Sequence, residues 1–446
     1  MTNTDKPTFL TLHVASGWRQ RLPQQIVSFL PLTLFFQIGV MYTGIILFLL
    51  SWLISGQWQL KWQRLRHSPL FLPVVCLSTL SVVISLIHPH SEHEFTSAFL
   101  HYQSYWILLP MLTIGNGAWQ RMAIRNFFIG AVIAASFFYL NSFGLLPDGR
   151  FFRGYTVYEG GKSILFALLL AIAPAWMLHE WRVFRDWHFV RAFTFIFVLS
   201  ALFLFARSRT ASLLFLILFL VLTGVWASAS QRFRRWYFTS LVFILLIFSM
   251  SLIYVVQMPT PVSCHPKEML DKYGMSGAQI LKSRSICTVH QVRDFMKDGQ
   301  VSEDGMRLEI YRNTWSMVKL SPWIGHGIGN WLPMYRVKAE GMMSEQMITP
   351  HNDYLLYWFE LGIGGVLCLL TIWLTQLKVG LSMLKHGFKV HAVALLMLTV
   401  AMMFSASLNA IMRDGVYTFA MLILLAIPLA SLNLELSWRE KNKTND

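Results

Sequence analysis

The chain has 446 residues, of which 55% are hydrophobic and only 13% are charged. Soluble domains carry about 25% charged residues, so this composition excludes an ordinary soluble protein and indicates an integral membrane protein. A net charge of +15 would suit a nucleic-acid-binding protein. The basic residues here lie mainly in short clusters between apolar runs, so we expect membrane lipids and no nucleic acid as partners.

Apolar runs that reach the length of about 20 residues needed for a helix to cross a bilayer recur along the chain. The first, 26–54, carries Gln37 and Gly39 near its middle. We interpret it as a tight pair of helices, with a single tilted helix as the alternative. The runs predict an all-α integral membrane protein of about 12 spans, forming one polytopic domain over 1–446. The later spans are 69–87, 104–115 (short, extending into its flanks or re-entrant), 126–142, 164–178, 192–206, 211–229, 236–256, 355–376, 391–410 and 415–435.

The distribution of basic residues sets the predicted orientation. Residues 1–25 lack a signal-peptide pattern, so we expect them to remain as a cytoplasmic tail. Every second connection is then basic, as the positive-inside rule requires, and a single span at 26–54 would break that alternation. Both termini are therefore expected in the cytoplasm. The cytoplasmic clusters are Lys61, Arg64 and Arg66; Arg121 and Arg125; Arg182, Arg185 and Arg191; Arg232, Arg234 and Arg235; Lys378, Lys385 and Lys389; and Arg439, Lys441 and Lys443.

The opposite face receives a long segment, 257–354, between the ninth and tenth spans. Its length exceeds that of a simple connection, so we expect a periplasmic loop subdomain. The stretch "GMRLEIYRNTWSMVKL" places Leu308, Tyr311, Trp315 and Val318 on one helical stripe. This indicates an amphipathic helix against the membrane or the bundle, or a helix that merely caps the loop. The loop also holds Cys264 and Cys287, which are able to pair in an oxidising periplasm.

Basic residues on the outer face are informative because orientation does not explain them. Arginine suits phosphate groups because its planar fork donates two parallel, charge-assisted hydrogen bonds. As a set, these residues favour an anionic headgroup such as a lipid diphosphate. Taken one at a time, these residues are also explained as snorkelling anchors, or as ion-pair partners of Glu159, Glu303 and Glu309. They are Arg153 and Lys162 in one loop, Arg207 and Arg209 in a turn, and Arg307 and Arg312 on the helical stretch.

A Pro-His-Asn-Asp cluster opens the span at 355–376 in "ITPHNDYLLYWFELGIGG". Asn352 or Asp353 is able to cap the helix that follows. His351 is able to take a proton from a hydroxyl when neutral, or to pair with phosphate when charged. A single histidine at a membrane boundary is often structural, so a functional role for His351 depends on the residues around it.

Other polar residues in the apolar regions give weaker signals. "HPHSEHEF" supplies His88, His90 and His93, but their spacing fits no ordered metal-ligand motif, and we expect no metal. Glu360 lies inside a span, where it must face a cavity or a partner. Asn409, near the end of 391–410, is expected to hydrogen-bond between helices.

Four stretches occur in order between residues 200 and 376: "SRTASL", "GMRLEIYRNTW", "SPWIGHGIGNW" and "PHNDYLLYWFELGIGG". This ordered set resembles the O-antigen ligase and polymerase superfamily, and the hydropathy profile resembles it over the whole chain. The resemblance implies a GT-C-like membrane glycosyltransferase that needs neither metal nor cofactor. It implies roles at the carrier diphosphate for Arg209 and Arg307, with Arg207 and Arg312 as weaker matches. It also implies catalysis by His351, as a base or as a diphosphate ligand. The segment around Arg153 departs from the Asn-rich form of many relatives.

The resemblance further implies a substrate and a place. We expect an O-antigen ligase of the bacterial inner membrane, whose active site faces the periplasm. It would transfer a preassembled glycan from undecaprenyl diphosphate to a lipid A-core acceptor, with inversion. A polymerase that extends the carrier-linked chain and a pilin O-oligosaccharyltransferase are the alternatives with the same chemistry. A lipid or sugar transporter is the alternative from another class, although the chain lacks the related halves typical of transporters.

Overall fold

A computed structural model describes residues 17–89, 92–147, 149, 151–152, 154–155, 162–183, 188–206, 208–228, 230–261, 264 and 277–432. Within these ranges all regular structure is helical. The first eleven helices are α1 (Trp18–Thr33), α2 (Ile38–Ile54), α3 (Trp58–His67), α4 (Phe71–Ile87), α5 (Glu92–Gln103), α6 (Leu108–Leu112), α7 (Trp119–Ser142), α8 (Lys162–Val183), α9 (His188–Ser200), α10 (Arg209–Ser228) and α11 (Gln231–Gln257).

The remaining α-helices are α12 (Gly277–Asp298), α13 (Glu303–Val318), α14 (Trp331–Lys338), α15 (Asp353–Lys385), α16 (Lys389–Leu408) and α17 (Gly415–Leu429). The predicted helix pair at 26–54 is present, because the chain leaves the helix between Thr33 and Ile38. The predicted span at 104–115 is a 3₁₀ turn, Ser104–Ile107, followed by the five-residue α6.

Judged by helix length and composition, fewer helices are able to span the membrane than the sequence predicted. In the described residues six helices are long and apolar enough to cross a membrane, or seven if α2 and α3, bent by 117°, count as one broken span. The other predicted crossings are shorter: α4 and α17 have 17 and 15 residues, and the apolar stretch Phe189–Phe205 contains a π-helical segment. An all-helical membrane protein is therefore confirmed, while the count of twelve and the GT-C-like fold stay predictions.

Helix burial separates the centre of the bundle from its lipid-facing surface. Almost every side chain of α17 is buried, so this apolar helix is surrounded by others, including α16. Helix α15 packs along α16, and α8 packs on α10. In contrast α11 has no buried residue, and its bulky apolar side chains face outward along its length. That pattern fits a helix surrounded by lipid.

Helices α12, α13 and α14 form the described part of the 257–354 subdomain. Cys264 and Cys287 are joined in a disulfide that ties the start of this segment to α12. A small separate core, built around Ile310, Met317, Trp331, Tyr335 and Phe359, fixes α13 and α14 to the first turns of α15.

The buried face of α13 differs from the stripe predicted from sequence. Ile310 and Met317 are buried, whereas Trp315 is 38% exposed and packs edge-on against Trp358 at 5.0 Å. Of the four predicted stripe residues only Val318 is fully buried. The stripe nevertheless faces α15 in part, because Trp315 packs on Trp358 and Val318 lies in the same small core as Phe359, while Ile310 and Met317 beside the stripe join that core.

The loop 321–329, "SPWIGHGIG", is fixed to a break in α15. Gly362 has φ 68° and ψ −166°, which interrupts the helix. The loop supplies hydrogen bonds there: His326 N–H donates to Phe359 O at 2.7 Å, and Gly327 N–H donates to Glu360 O at 3.1 Å. In return Ile363 N–H donates to Pro322 O at 2.9 Å. The glycines of the motif permit this close backbone approach.

Gly362→Ala tests the contact between this loop and the helix break. A Cβ at Gly362 would lie 2.1 Å from Trp323 O, in a conformation that side chains avoid. We expect a loss of roughly 1–3 kcal/mol or more, measured as a lower thermal transition in detergent. Gly364→Ala is the control, because its Cβ meets only the flexible Leu80 side chain, at 3.2 Å. Equal transitions for the two variants would contradict the proposed tight contact.

Candidate active site

One face of α13 connects the two regions that the sequence analysis singled out. Asp304, Arg307 and Tyr311 are spaced by three and four residues, so they follow one another along the same side of the helix. Asp304 contacts Arg209, and the Tyr311 hydroxyl donates to His351 O at 3.0 Å. The seven residues from Asp304 to Tyr311 span about 10 Å along the helix.

Arg209, the first residue of α10, is held by an ion pair. Its Nη1 lies 2.9 Å from Asp304 Oδ2, and its Nη2 donates to Asp304 Oδ1 at 3.3 Å. Nη1 also donates to Arg284 O at 2.9 Å and to the Thr288 hydroxyl. The side chains of Arg209 and Asp304 are 22% and 10% exposed. In this structure Arg209 therefore ties α10 to α12 and α13.

Arg307 has a different environment. Among the described residues no hydrogen bond or ion pair engages its half-buried guanidinium. Its charge acts on two neighbours, since it lowers the pKa of Tyr311 against the effect of burial and contributes to the lowered pKa of His351. Arg307 is thus the cation that the structure brings next to His351.

His351 lies just before α15 in a constrained backbone conformation. Its φ is +50°, a value that few non-glycine residues adopt and that often marks functional sites. Its Nδ1 lies 3.4 Å from Asn409 Oδ1. Burial, assisted by the charge of Arg307, lowers the pKa of His351 below its ordinary value, and the Asn409 contact opposes this in part. At neutral pH the imidazole is therefore uncharged.

The segment 348–353 is held against residues 407–413. Asn352 caps α15 by accepting from Leu355 N–H at 3.0 Å, and its Nδ2 donates to Ser407 O at 3.2 Å. Met412 N–H donates to the buried Asp353 Oδ2 at 2.9 Å. Arg413 donates to Ile348 O at 2.7 Å. Of the two predicted caps Asn352 is correct, and these contacts keep His351 in its conformation.

Arg413 also connects this segment to the start of α5. Its Nη2 forms an ion pair with Glu94 Oε2 at 3.2 Å. The sequence did not indicate Arg413, nor the His351 contact of Tyr311, because the partners of these two residues lie far away in the chain. Asn409 was predicted to bond between helices, and it contacts His351, two residues before α15.

Of the other predicted binding residues, only Arg312 is described with its side chain, and it does not lie beside His351. Arg312 follows Arg307 by five residues, which places it about 140° around α13, and it is exposed. Arg207 and Arg153 lie outside the described residues. Lys162 begins α8, but its side chain is outside the described part. Their predicted roles in binding stay predictions.

Glu360 has a structural explanation. Its carboxylate is buried, accepts the Tyr102 hydroxyl at 2.6 Å through Oε2 and accepts Gly329 N–H at 3.1 Å through Oε1. It therefore stabilises the loop 321–329 at the helix break. Within the described residues no group of His, Cys, Asp and Glu is arranged to hold a metal ion. Of the "HPHSEHEF" cluster, His90 is not described, nor are the side chains of Glu92 and His93.

A cavity of about 500 Å³ lies far from His351, lined by Arg121, Glu180 and Lys389 among others. Lys389 and Asn409 bracket the 20-residue α16, so this cavity is about 30 Å from the His351 end of the bundle. This cavity is therefore not the place where the reaction predicted for His351 occurs.

Comparisons with known proteins identify one family. Residues 192–370 match the family model described as O-antigen ligase. The matched segment contains Arg209, Arg307 and His351, and it confirms the predicted resemblance to the O-antigen ligase and polymerase superfamily. A search of curated proteins found no match.

Asp304→Ala tests whether Arg209 anchors the subdomain. The variant leaves a largely buried guanidinium without its carboxylate, so we expect a loss of roughly 3 kcal/mol in stability. The measurement is the thermal transition of the purified protein. Arg312→Ala is the control, since it removes an exposed cation from the same helix. If Asp304→Ala melts with the wild type, the ion pair is not what holds α10 to α13.

Proposed function

We propose that this chain, whose residues 192–370 match the O-antigen ligase family, is an O-antigen ligase of the bacterial inner membrane. It transfers a preassembled glycan from undecaprenyl diphosphate to a hydroxyl of the lipid A-core. The reaction takes place on the periplasmic face without a metal ion. The observation that carries this proposal is that His351, with its φ of +50°, is bonded through Tyr311 to the face of α13 that holds Arg307, a cation with no protein partner among the described residues.

His351 acts as the general base. In the tautomer whose Nδ1–H donates to Asn409 Oδ1, at 3.4 Å, the Nε2 atom of the neutral ring carries the free lone pair. The Nε2 lone pair is then available to an acceptor hydroxyl, since no described residue donates to Nε2. The lowered pKa keeps that lone pair unprotonated at neutral pH.

Arg307 stabilises the leaving group. The acceptor oxygen attacks the anomeric carbon of the glycan as its proton passes to His351. The bond between that carbon and the diphosphate oxygen breaks, and undecaprenyl diphosphate leaves with the electron pair. Negative charge grows on the diphosphate, where a guanidinium donates charge-assisted hydrogen bonds. A single displacement of this kind inverts the anomeric centre.

Arg209 supports the same site in a different way. The resemblance implies that it contacts the carrier diphosphate, but its guanidinium is bound to Asp304. We assign it a positioning role, because Asp304 lies one helical turn from Arg307 on α13. Arg207, Arg312, Arg153 and Lys162 stay candidates for binding the glycan or the carrier.

Two observations support a periplasmic site. The disulfide between Cys264 and Cys287 lies in the same subdomain as Arg307, and disulfides persist in oxidising compartments. The basic clusters predicted to face the cytoplasm include Lys378, Lys385 and Lys389, at the opposite end of α15 from His351.

The first test replaces His351 with Ala in the source cell and compares glycan on lipopolysaccharide with glycan on undecaprenyl diphosphate. We expect long chains on the carrier and a bare lipid A-core, because transfer stops without the base. Single repeat units on the lipid A-core would instead identify a polymerase. A normal lipopolysaccharide with the glycan missing from pilin would identify a protein glycosyltransferase, and no change in any pool would exclude His351 from catalysis.

The second test concerns the pH dependence of purified enzyme. Activity requires neutral His351, so it is lost as the pH falls through the pKa of this residue. Arg307→Gln removes a charge that lowers this pKa, so we expect the acidic limb of the profile to move to higher pH. The maximal rate should also fall, by about 100-fold, because the leaving group loses its cation.

Arg312→Gln is the matched control for that experiment, since it removes an exposed cation from the same helix. Its acidic limb should coincide with that of the wild type. An unmoved limb in Arg307→Gln would separate Arg307 from the titrating group and would count against His351 as the base.

A further inference from the structure

The turn that follows α13 exposes bulky apolar side chains. Leu320, Trp323 and Ile324 are 77%, 76% and 49% exposed. We call residues 320–324 the apolar tip. Adjacent exposed side chains of this size are unusual on a surface that faces water, and they often mark a contact with a membrane or another protein.

The position of the apolar tip along α15 is fixed by its contacts at the helix break. Pro322 O accepts from Ile363 N–H at 2.9 Å and from Trp358 Nε1–H at 3.0 Å. Trp323 O is so near Gly362 that a Cβ there would approach it to 2.1 Å. The tip therefore lies at the level of residues 358–363.

This level falls within the expected hydrocarbon layer. Helix α15 has 33 residues, so it is about 50 Å long and exceeds a hydrocarbon layer of about 30 Å. Counting about 20 residues upward from Lys378, the charged residue at which the apolar run of α15 ends, reaches Trp358. Gly362 and the apolar tip then lie about one helical turn, roughly 5 Å, inside the boundary.

The apolar tip also continues the lipid-facing surface of α15. Leu367, Leu374 and Leu381 are 55%, 58% and 57% exposed and are spaced by seven residues along one side of the helix. Above Leu367 the helix breaks at Gly362, and the loop 321–329 covers α15 there through hydrogen bonds from His326 and Gly327. At this level the loop therefore covers the surface of the helix, and the side chains of Trp323 and Ile324 face outward from the loop.

Part of the backbone of the apolar tip is paired within the protein, which reduces the cost of a surrounding without water, where unpaired polar groups are unfavourable. Ser321 N–H donates to Val318 O at 3.2 Å, and Gly325 N–H donates to Ser321 O at 3.1 Å. The Ser321 hydroxyl donates to Gly325 O at 2.7 Å. Pro322 has no N–H, and its carbonyl is bound to α15.

We propose that the apolar tip inserts into the leaflet on the His351 side and contacts lipid acyl chains. The insertion fixes the height of the subdomain above the bilayer. His351 precedes Trp358 by seven residues, so it stands about 10 Å above the hydrocarbon boundary, beside the headgroup layer. This proposal rests on packing and exposure alone and holds whichever acceptor the enzyme uses.

The test measures depth with a nitroxide label in the full chain. Cys76 and Cys368 are first replaced by Ala, which leaves the disulfide as the remaining cysteine pair. The label is placed by Trp323→Cys, with Leu320→Cys as a second tip position. Lys338→Cys, at the exposed end of α14 in the same subdomain, is the control. The protein is studied in vesicles of phosphatidylcholine and phosphatidylglycerol.

Collisions with oxygen, which concentrates in hydrocarbon, are compared with collisions with a water-soluble nickel complex. We expect the tip labels to lose nickel collisions and keep oxygen collisions, and the Lys338 label to show the reverse. Nickel collisions at both tip positions equal to those at 338 would overturn the proposal. Low collisions with both reagents would also overturn it and would indicate that protein, such as a second copy of the chain, covers the tip.

Discussion

The backbone contact between the loop 321–329 and the break in α15 determines how the outer subdomain meets the membrane helix. A helix that breaks at Gly362 leaves carbonyl groups without their normal donors, and His326 and Gly327 N–H groups bond to two of them. The contact needs glycine on both sides, because a Cβ at Gly325 would approach Gly362 N to 2.6 Å. Through this junction α13, which carries Arg307, is fixed relative to His351 at the start of α15.

The two arginines that the family resemblance singled out are used differently in this arrangement. The Asp304 carboxylate pairs with Arg209, whereas the half-buried Arg307 has no partner among the described residues. Burying an unpaired cation is costly, so a protein retains one where an anion is to arrive. Burial, assisted by the charge of Arg307, lowers the pKa of His351, which favours the neutral ring beside this cation.

Sequence patterns predicted local features, such as helix breaks and caps, better than they predicted which distant residues contact each other. Gln37 marked the break between α1 and α2, and the helix start after "PHND" was correct, because breaks and caps depend on neighbouring residues. The buried face of α13 was predicted only in part, since contacts with α14 and α15 also cover Ile310 and Met317 beside the predicted stripe. The partner of Arg209 lies 95 positions away, and no local spacing indicates such a pair.

The proposed depth of the apolar tip explains why the candidate site needs no deep cavity. A carrier lipid keeps its prenyl chain in the bilayer and presents its diphosphate in the headgroup layer. If the tip holds His351 about 10 Å above the hydrocarbon boundary, the reacting carbon reaches the base without leaving that layer. The membrane then supplies one wall of the site and fixes the donor in one dimension. The protein has only to provide the cation at Arg307, the base at His351 and the lateral position of the acceptor.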